Sequence, residues 1–164
     1  MVKTPQIILI DGPAGAGKTT LARRLQIEHS CQVLHLDEIY NGWNDALTSS
    51  LTEKLLLLVT SFKSGRSTKL PKYNWNASCF DSELEIEPGE TLIIEGVGAG
   101  QSAIRPFATT LYWVEIDDAT GIARVLERDG SGIELEMRTW KIRESQHFAI
   151  ERTREFADFI ISTA

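Results

Sequence analysis

The residues from Gly12 to Thr19 read Gly12-Pro13-Ala14-Gly15-Ala16-Gly17-Lys18-Thr19, a composition suited to wrapping an anion. Glycines let successive backbone N–H groups converge on phosphate oxygens, and a helix starting at Lys18 would add the positive end of its dipole. Lys18 supplies a point charge for the outer phosphates. The Thr19 hydroxyl is an oxygen ligand of the kind Mg²⁺ prefers, and Thr20 adds a second hydroxyl at the helix start. The spacing G-x-x-x-x-G-K-[ST] is the Walker A pattern, whose context is a buried strand before the loop and a helix after it. The chemistry expected is the binding of ATP with Mg²⁺. The plain alternative, a flexible turn, does not account for both flanking elements.

Phosphoryl transfer also needs a group that orients the attacking hydroxyl and charges that meet the developing anion. Ligands of open α/β sheets collect beyond the carboxyl ends of the strands, which singles out Asp37 after the second apolar run and Glu95 at the end of the third. Asp37 is the candidate general base; its alternative role is a helix cap or turn acid. Glu95 is the candidate metal support, through water, with a strand-end carboxylate bonded to loop amides as the alternative. Arg124 and Arg128 stand near the end of a helix that breaks at Asp129-Gly130. Their guanidinium groups suit a lid over the nucleotide, Arg124 binding it and Arg128 acting in catalysis. Exposed pairing with Asp118 or Glu127 is the alternative. Tyr40, Trp43, Tyr73 and Trp75 could offer flat faces to a ring-shaped acceptor, or belong to the core. His29, His35 and His147 have no metal-ligand spacing and are expected to be structural or exposed.

Those residues need elements to hold them. Gln6–Ile10, Gln32–Leu36, Thr91–Glu95, Leu111–Ile116 and Asp158–Ser162 read as strands, the first and third as apolar runs buried on both faces. Helical spacing runs over Lys18–Glu28, and Leu47, Leu51, Leu55, Leu58 and Phe62 predict an amphipathic helix over Asp45–Lys63. A helix capped by Asp118 is expected to reach about Arg128, and Glu134–Ala157 reads as mostly helical. Arg66–Gly89, with Pro71 and Pro88 and no clean period, is expected to be irregular structure with short elements. Strands alternating with helices predict an α/β sandwich on a parallel sheet.

Composition narrows the partners. The 164 residues fit one domain, with 17 basic and 23 acidic side chains and a net charge of -6. Such a chain lacks the broad positive field that nucleic acid demands, although one local cradle can hold a phosphorylated small molecule. Cys31 and Cys79 have no metal spacing and are expected to be reduced thiols of a cytoplasmic protein. The N-terminus does not read as a signal peptide, and no apolar run approaches a membrane span. No exposed apolar stripe argues for an assembly larger than a monomer or homodimer.

Several stretches together resemble the uridine kinase and related nucleoside/nucleotide kinase branch of P-loop NTPases. They are IDGPAGAGKTT at Ile10–Thr20, LDEIY at Leu36–Tyr40, YNW at Tyr73–Trp75, IIEGVGA at Ile93–Ala99 and RVLERDG at Arg124–Gly130. The resemblance spans nearly the whole chain. It implies a three-layer α/β/α fold with a five-stranded parallel sheet in the order 2-3-1-4-5, an acceptor-binding segment over about 38–90 and a short lid over about 124–136. It also implies Asp37 near the acceptor hydroxyl, Glu95 near the metal, and Arg124 and Arg128 in the lid. Uridine kinases usually carry Asp where this chain has Asn74. Kinases of gluconate, shikimate or cytidylate share the framework, so the resemblance implies a small hydroxylic acceptor without naming it. A nucleotide-binding signalling module with little or no transfer is the reading from another class. A GTPase is disfavoured by the lack of an Asn-Lys-x-Asp motif.

Overall fold

Gln6–Asp11 (β1) alternates its side chains between two buried faces, and that alternation sets the layers. Ile7 and Leu9 join Leu34, Leu92, Ile94 and Leu111 on one face, while Ile8 and Ile10 join Ile93 and Val114 on the other. The computed structural model describes residues 3–163. β1 is flanked in parallel by Thr91–Glu95 (β5) and Thr110–Glu115 (β6). Gln32–His35 (β2) lies outside β5, and Phe159–Ser162 (β7) lies outside β6, also in parallel.

Helix α1 (Lys18–His29) covers the second face through Leu21, Ala22 and Leu25. The first face is covered by α2 (Ser49–Lys63) through Leu51, Leu55, Leu58, Val59 and Phe62. α3 (Asp118–Asp129) adds Val125 there, and α4 (Glu134–Glu151) adds Met137 and Trp140. This is the three-layer α/β arrangement with a parallel five-stranded sheet. No helix among the described residues is long and apolar enough to cross a membrane.

The sheet order is β2-β5-β1-β6-β7, where 2-3-1-4-5 was expected, because two further strands enter the count between β2 and β5. The short elements expected within Arg66–Gly89 are two paired strands, so the segment is more regular than its sequence suggests. Thr68–Asn74 (β3) and Cys79–Ile86 (β4) form a separate antiparallel hairpin, with a register shift between Lys72 and Tyr73. Its pattern is faint because only Thr68, Leu70 and Ile86 are buried along the pair, and a two-stranded ribbon has only edges, which tolerate Pro71.

Three helix boundaries also differ from expectation. α2 begins at Ser49, not Asp45, because Thr48 is extended and its hydroxyl donates back to the Asp45 carbonyl at 3.2 Å. α3 is capped by Asp117 rather than Asp118, with Asp117 accepting from the Thr120 amide at 2.9 Å. α4 ends at Glu151, where Arg152 turns left-handed (φ 53°) before a short 3₁₀ turn.

Candidate active site around the phosphate loop

The chain leaves β1 at Asp11 and must turn sharply to enter α1 at Lys18. Gly12 (φ 142°) and Gly15 (φ 78°) take backbone conformations that side-chain-bearing residues avoid. A Cβ on Gly12 would stand 1.9 Å from the Val114 carbonyl oxygen, and one on Gly15 would stand 2.2 Å from that of Gly121. The loop is pressed against β6 and α3 by backbone, with no room for a methyl group.

Within this turn the Gly12 amide donates to Asp11, the Ala14 amide to Glu144 and the Ala16 amide to the Pro13 carbonyl. Among the described residues, the amides of Gly15, Gly17, Lys18, Thr19 and Thr20 have no partner. Gly17 provides no side chain to cap α1. Buried or crowded backbone donors rarely stay unpaired, so this row of N–H groups fits an anion. The Lys18 ammonium, 8% exposed, donates to the Pro13 carbonyl at 2.8 Å. Burial pushes its pKa down, while Glu95, Glu144 and Asp11 oppose that shift. A cation turned onto its own loop in a low-dielectric site fits a phosphate group.

The acidic partners stand beside it. Glu95, 6% exposed at the end of β5, accepts from the Thr19 hydroxyl at 3.0 Å and pairs with His35 Nδ1 at 2.5 Å. The register β2–β5 places His35 directly against Glu95, a pairing that the search for metal-ligand spacing did not bring out. Its hydrogen bond to Glu95 raises the His35 pKa. Asp37 lies in a 3₁₀ turn just after β2. Desolvation in the cleft and the nearby Glu95 charge raise its pKa, which His35 and Arg128 partly offset. Thr19 and Glu95 are oxygen donors close enough to share a hard cation, and the site fits Mg²⁺ together with phosphate oxygens.

The arginines divide. Arg124 on α3 reaches the loop, its Nη1 standing 3.4 Å from the Gly15 carbonyl and 3.3 Å from the Thr163 hydroxyl. Arg128, one turn further, is paired with the neighbouring Asp129 at 2.9 and 2.7 Å. Its charge still acts on Asp37 and Glu95.

Trp43, Tyr73 and Trp75 form a run of edge-to-face contacts, with centroids 5.5 Å apart for Trp43–Trp75 and 4.9 Å for Tyr73–Trp75. Trp75, 39% exposed, donates its indole N–H to the Asp37 carbonyl at 2.8 Å. The β3–β4 hairpin thus carries an aromatic surface to the candidate base. Tyr40 does not belong to that surface. It is buried against Trp140, with its hydroxyl donating to the Val97 carbonyl at 2.6 Å. Asn74 is turned into the hairpin, accepting from the Asn76 and Ala77 amides and donating to Asp81. His29 closes α1, and His147 lies on α4 with its Nε2 buried and unpartnered among the described residues.

Two carboxylates of the site were not singled out from sequence. Asp11, fully buried, accepts from the amides of Gly12 (2.7 Å), Gly98 (3.2 Å) and Gly100 (2.8 Å), tying the loop to the turn that follows β5. Burial raises its pKa to about 6 against the pull of those donors and Lys18. The Asp-Gly pair at a strand end was its only sequence signal. Glu144 reaches the loop from α4, 130 residues away in the chain, and no local spacing signals that.

The chain matches the family described as AAA domain over residues 8–146. No curated protein sequence matches it significantly. Among solved structures it is similar to one described as a possible uridine kinase from Bacillus stearothermophilus (TM-score 0.70, 20% identity, 98% of this chain and 90% of that one). It is also similar to a D-glycerate 3-kinase from Cryptococcus neoformans (TM-score 0.62, 12% identity, 91% and 80%). A third is a shikimate kinase from Acinetobacter baumannii in complex with shikimate (TM-score 0.56, 20% identity, 99% and 86%). At these identities the likeness is one of fold.

Proposed function

The chain belongs to the AAA domain family and shares the fold of small P-loop kinases, and from that premise we propose that it transfers the terminal phosphoryl group of ATP to a hydroxyl of a small metabolite. One observation carries this reading: unpartnered amides at the start of α1 stand beside a buried Lys18 and the Thr19–Glu95 pair. Lys18 and the loop amides hold the outer phosphates, and Arg124 braces the loop and nucleotide from α3. Asp37 orients the acceptor hydroxyl and takes its proton as the oxygen bonds to phosphorus and ADP leaves. A pKa above the ordinary carboxylate range suits a base. Arg128 meets the charge that develops on the transferring group. Magnesium, held by Thr19 and through water by Glu95, would neutralise charge between the phosphate oxygens.

The acceptor side is the segment 38–90, with Trp43, Tyr73 and Trp75 as its aromatic surface, and the lid is 124–136. A nucleoside, a nucleotide or a similar hydroxylic metabolite fits that surface. The names of the similar structures, uridine, shikimate and glycerate kinases, keep the class open between ring and open-chain acceptors. Asn74 is engaged in its own turn, which argues against recognition of the acceptor at that position.

Calorimetry with Mg-ATP, followed by ADP release across a panel of hydroxyl-bearing metabolites, tests the reading. Lys18→Ala is expected to weaken nucleotide binding and transfer by roughly 100-fold or more while keeping a cooperative unfolding transition. Full transfer by that variant would sink the proposal. A second reading, nucleotide binding as a conformational signal, draws support from the pairing of Arg128 with Asp129. ADP release that no acceptor stimulates would favour it.

A further inference from the structure

The Glu144 carboxylate is 2% exposed and stands between three elements. It accepts from the Ala14 amide of the phosphate loop at 2.9 Å and from the Trp140 indole N–H at 3.0 Å. Lys141 is its third donor, and Lys141 also reaches Asp118, the first residue of α3, at 3.0 Å. One buried ion pair therefore joins α4, the start of α3 and the turn where nucleotide phosphates are read to sit. Neither side chain is given a contact with the transferring group above; at Lys18 the Glu144 charge raises the pKa and the Lys141 charge lowers it.

Two roles are open to a carboxylate on a phosphate-loop amide. It could stand in for a phosphate oxygen and compete with nucleotide, or it could hold the loop in shape from behind. Burial decides between them. A competitor must leave when nucleotide arrives, and separating a buried pair strands an uncompensated charge in the interior. Glu144 also has two further donors besides Ala14, so its position does not depend on the loop. Nearby contacts run the same way: Thr163 donates to the Ala16 carbonyl, and Arg124 reaches that of Gly15. The outer surface of the loop is fastened to the C-terminal part of the chain, and the unpartnered amides are left for the ligand.

We propose that Glu144 is a positioning residue that fixes the phosphate loop through the Ala14 amide, with Lys141, itself paired with Asp118, holding its carboxylate in place. The proposal rests on the reading of this loop as the nucleotide site. A loop already in its binding conformation spends less free energy on ordering when the ligand binds. The effect therefore falls on nucleotide affinity, and it reaches any nucleotide that carries the phosphates.

The test uses the full chain and Mg-ATP and Mg-ADP as probes. Calorimetry gives the dissociation constants, and amide hydrogen exchange is followed at Ala14 in the nucleotide-free protein. Loss of a charge-assisted bond predicts Mg-ATP affinity lower by roughly ten-fold in Glu144→Ala and Ala14 exchange faster by a similar factor. Glu144→Gln, which keeps an acceptor, should fall between that variant and the wild type. If Glu144→Ala does not fold, Glu144→Gln combined with Lys141→Met removes both buried charges at similar volume. That variant should still weaken Mg-ATP binding and speed Ala14 exchange. Affinities within two-fold of wild type with unchanged Ala14 exchange overturn the proposal, as does tighter binding, which would mark Glu144 as a competitor. If the wild-type chain binds neither nucleotide, the loop reading itself fails, and the exchange result at Ala14 still decides whether Glu144 holds the turn.

Discussion

Asp37 shows how the site divides labour among its carboxylates. Glu95 is buried and engaged by Thr19 and His35, so it is poorly placed to receive a proton from an acceptor. Among the described residues the one hydrogen bond acting on the Asp37 carboxyl comes from the Glu38 backbone, and burial with the Glu95 charge shifts its pKa upward against His35 and Arg128. A base needs a pKa closer to the working pH than an ordinary carboxylate has. Asp37→Asn is expected to lower kcat by roughly 100-fold or more, with the Mg-ATP dissociation constant nearly unchanged, because residue 37 lies outside the phosphate loop. Steady-state kinetics with an acceptor from the panel, set beside calorimetry, separates the two quantities. A loss confined to nucleotide affinity would reassign Asp37. The residues legible in sequence were those with a local signature: Gly12 to Thr19 by spacing, Asp37 and Glu95 by their place at strand ends. Asp11, His35 and Glu144 act through partners that only the parallel sheet and the packing of α4 bring near, and a single sequence shows no such adjacency.

At the scale of elements, α3 sits against the phosphate loop with no room for a methyl group at Gly121. A Cβ there would stand 2.7 Å from the Ala14 carbonyl oxygen and 3.2 Å from the Ile116 side chain. Helix propensity favours alanine over glycine by about 1 kcal/mol, so an exposed helical glycine would be improved by the change. Here the new methyl meets backbone, which cannot rotate away, and overpacking of that kind costs about 1–3 kcal/mol. Gly121→Ala is therefore expected to lower stability in urea and to weaken Mg-ATP binding together, since α3 must retreat from the loop and carry Arg124 with it. A gain in stability would show that propensity outweighs the contact. The same scale explains what the sequence concealed. The buried strands announced themselves through continuous apolar runs, and α1 through the helical spacing of Leu21, Ala22 and Leu25 after the glycine-rich loop. The β3–β4 hairpin did not, because Leu70 and Ile86 give it a single sparse buried face and Pro71 suggests a break. The hairpin nonetheless brings Tyr73 and Trp75 to Asp37.

Over the whole molecule, Asp11 is the point where the two central strands are fastened together beyond their last ladder bonds. Its carboxylate holds the phosphate loop after β1 and the Gly98–Gly100 turn after β5, and Gly100 packs in turn against Thr153 and Leu111. Burial outweighs these donors, and its pKa stands at about 6, above the unfolded value of 3.8. A folded pKa above the unfolded one means that the native state binds the proton more tightly. The contribution of Asp11 to stability is full below pH 3.8 and is lost as pH rises through 6. Between pH 7 and pH 5 it changes by about 1 kcal/mol in favour of the folded state at the lower pH. The raw curve hides this, because carboxylates with lowered pKa, such as Glu115 beside Arg154, contribute stability at neutral pH that is lost on acidification. The difference between wild type and Asp11→Asn isolates the one group. Urea unfolding at pH 5, 6 and 7 should show the wild type gaining on the variant as pH falls, by that amount and mostly below pH 6. Parallel curves would mean that Asp11 titrates in its ordinary range, and that the three amide bonds hold its charge in the interior without a net cost.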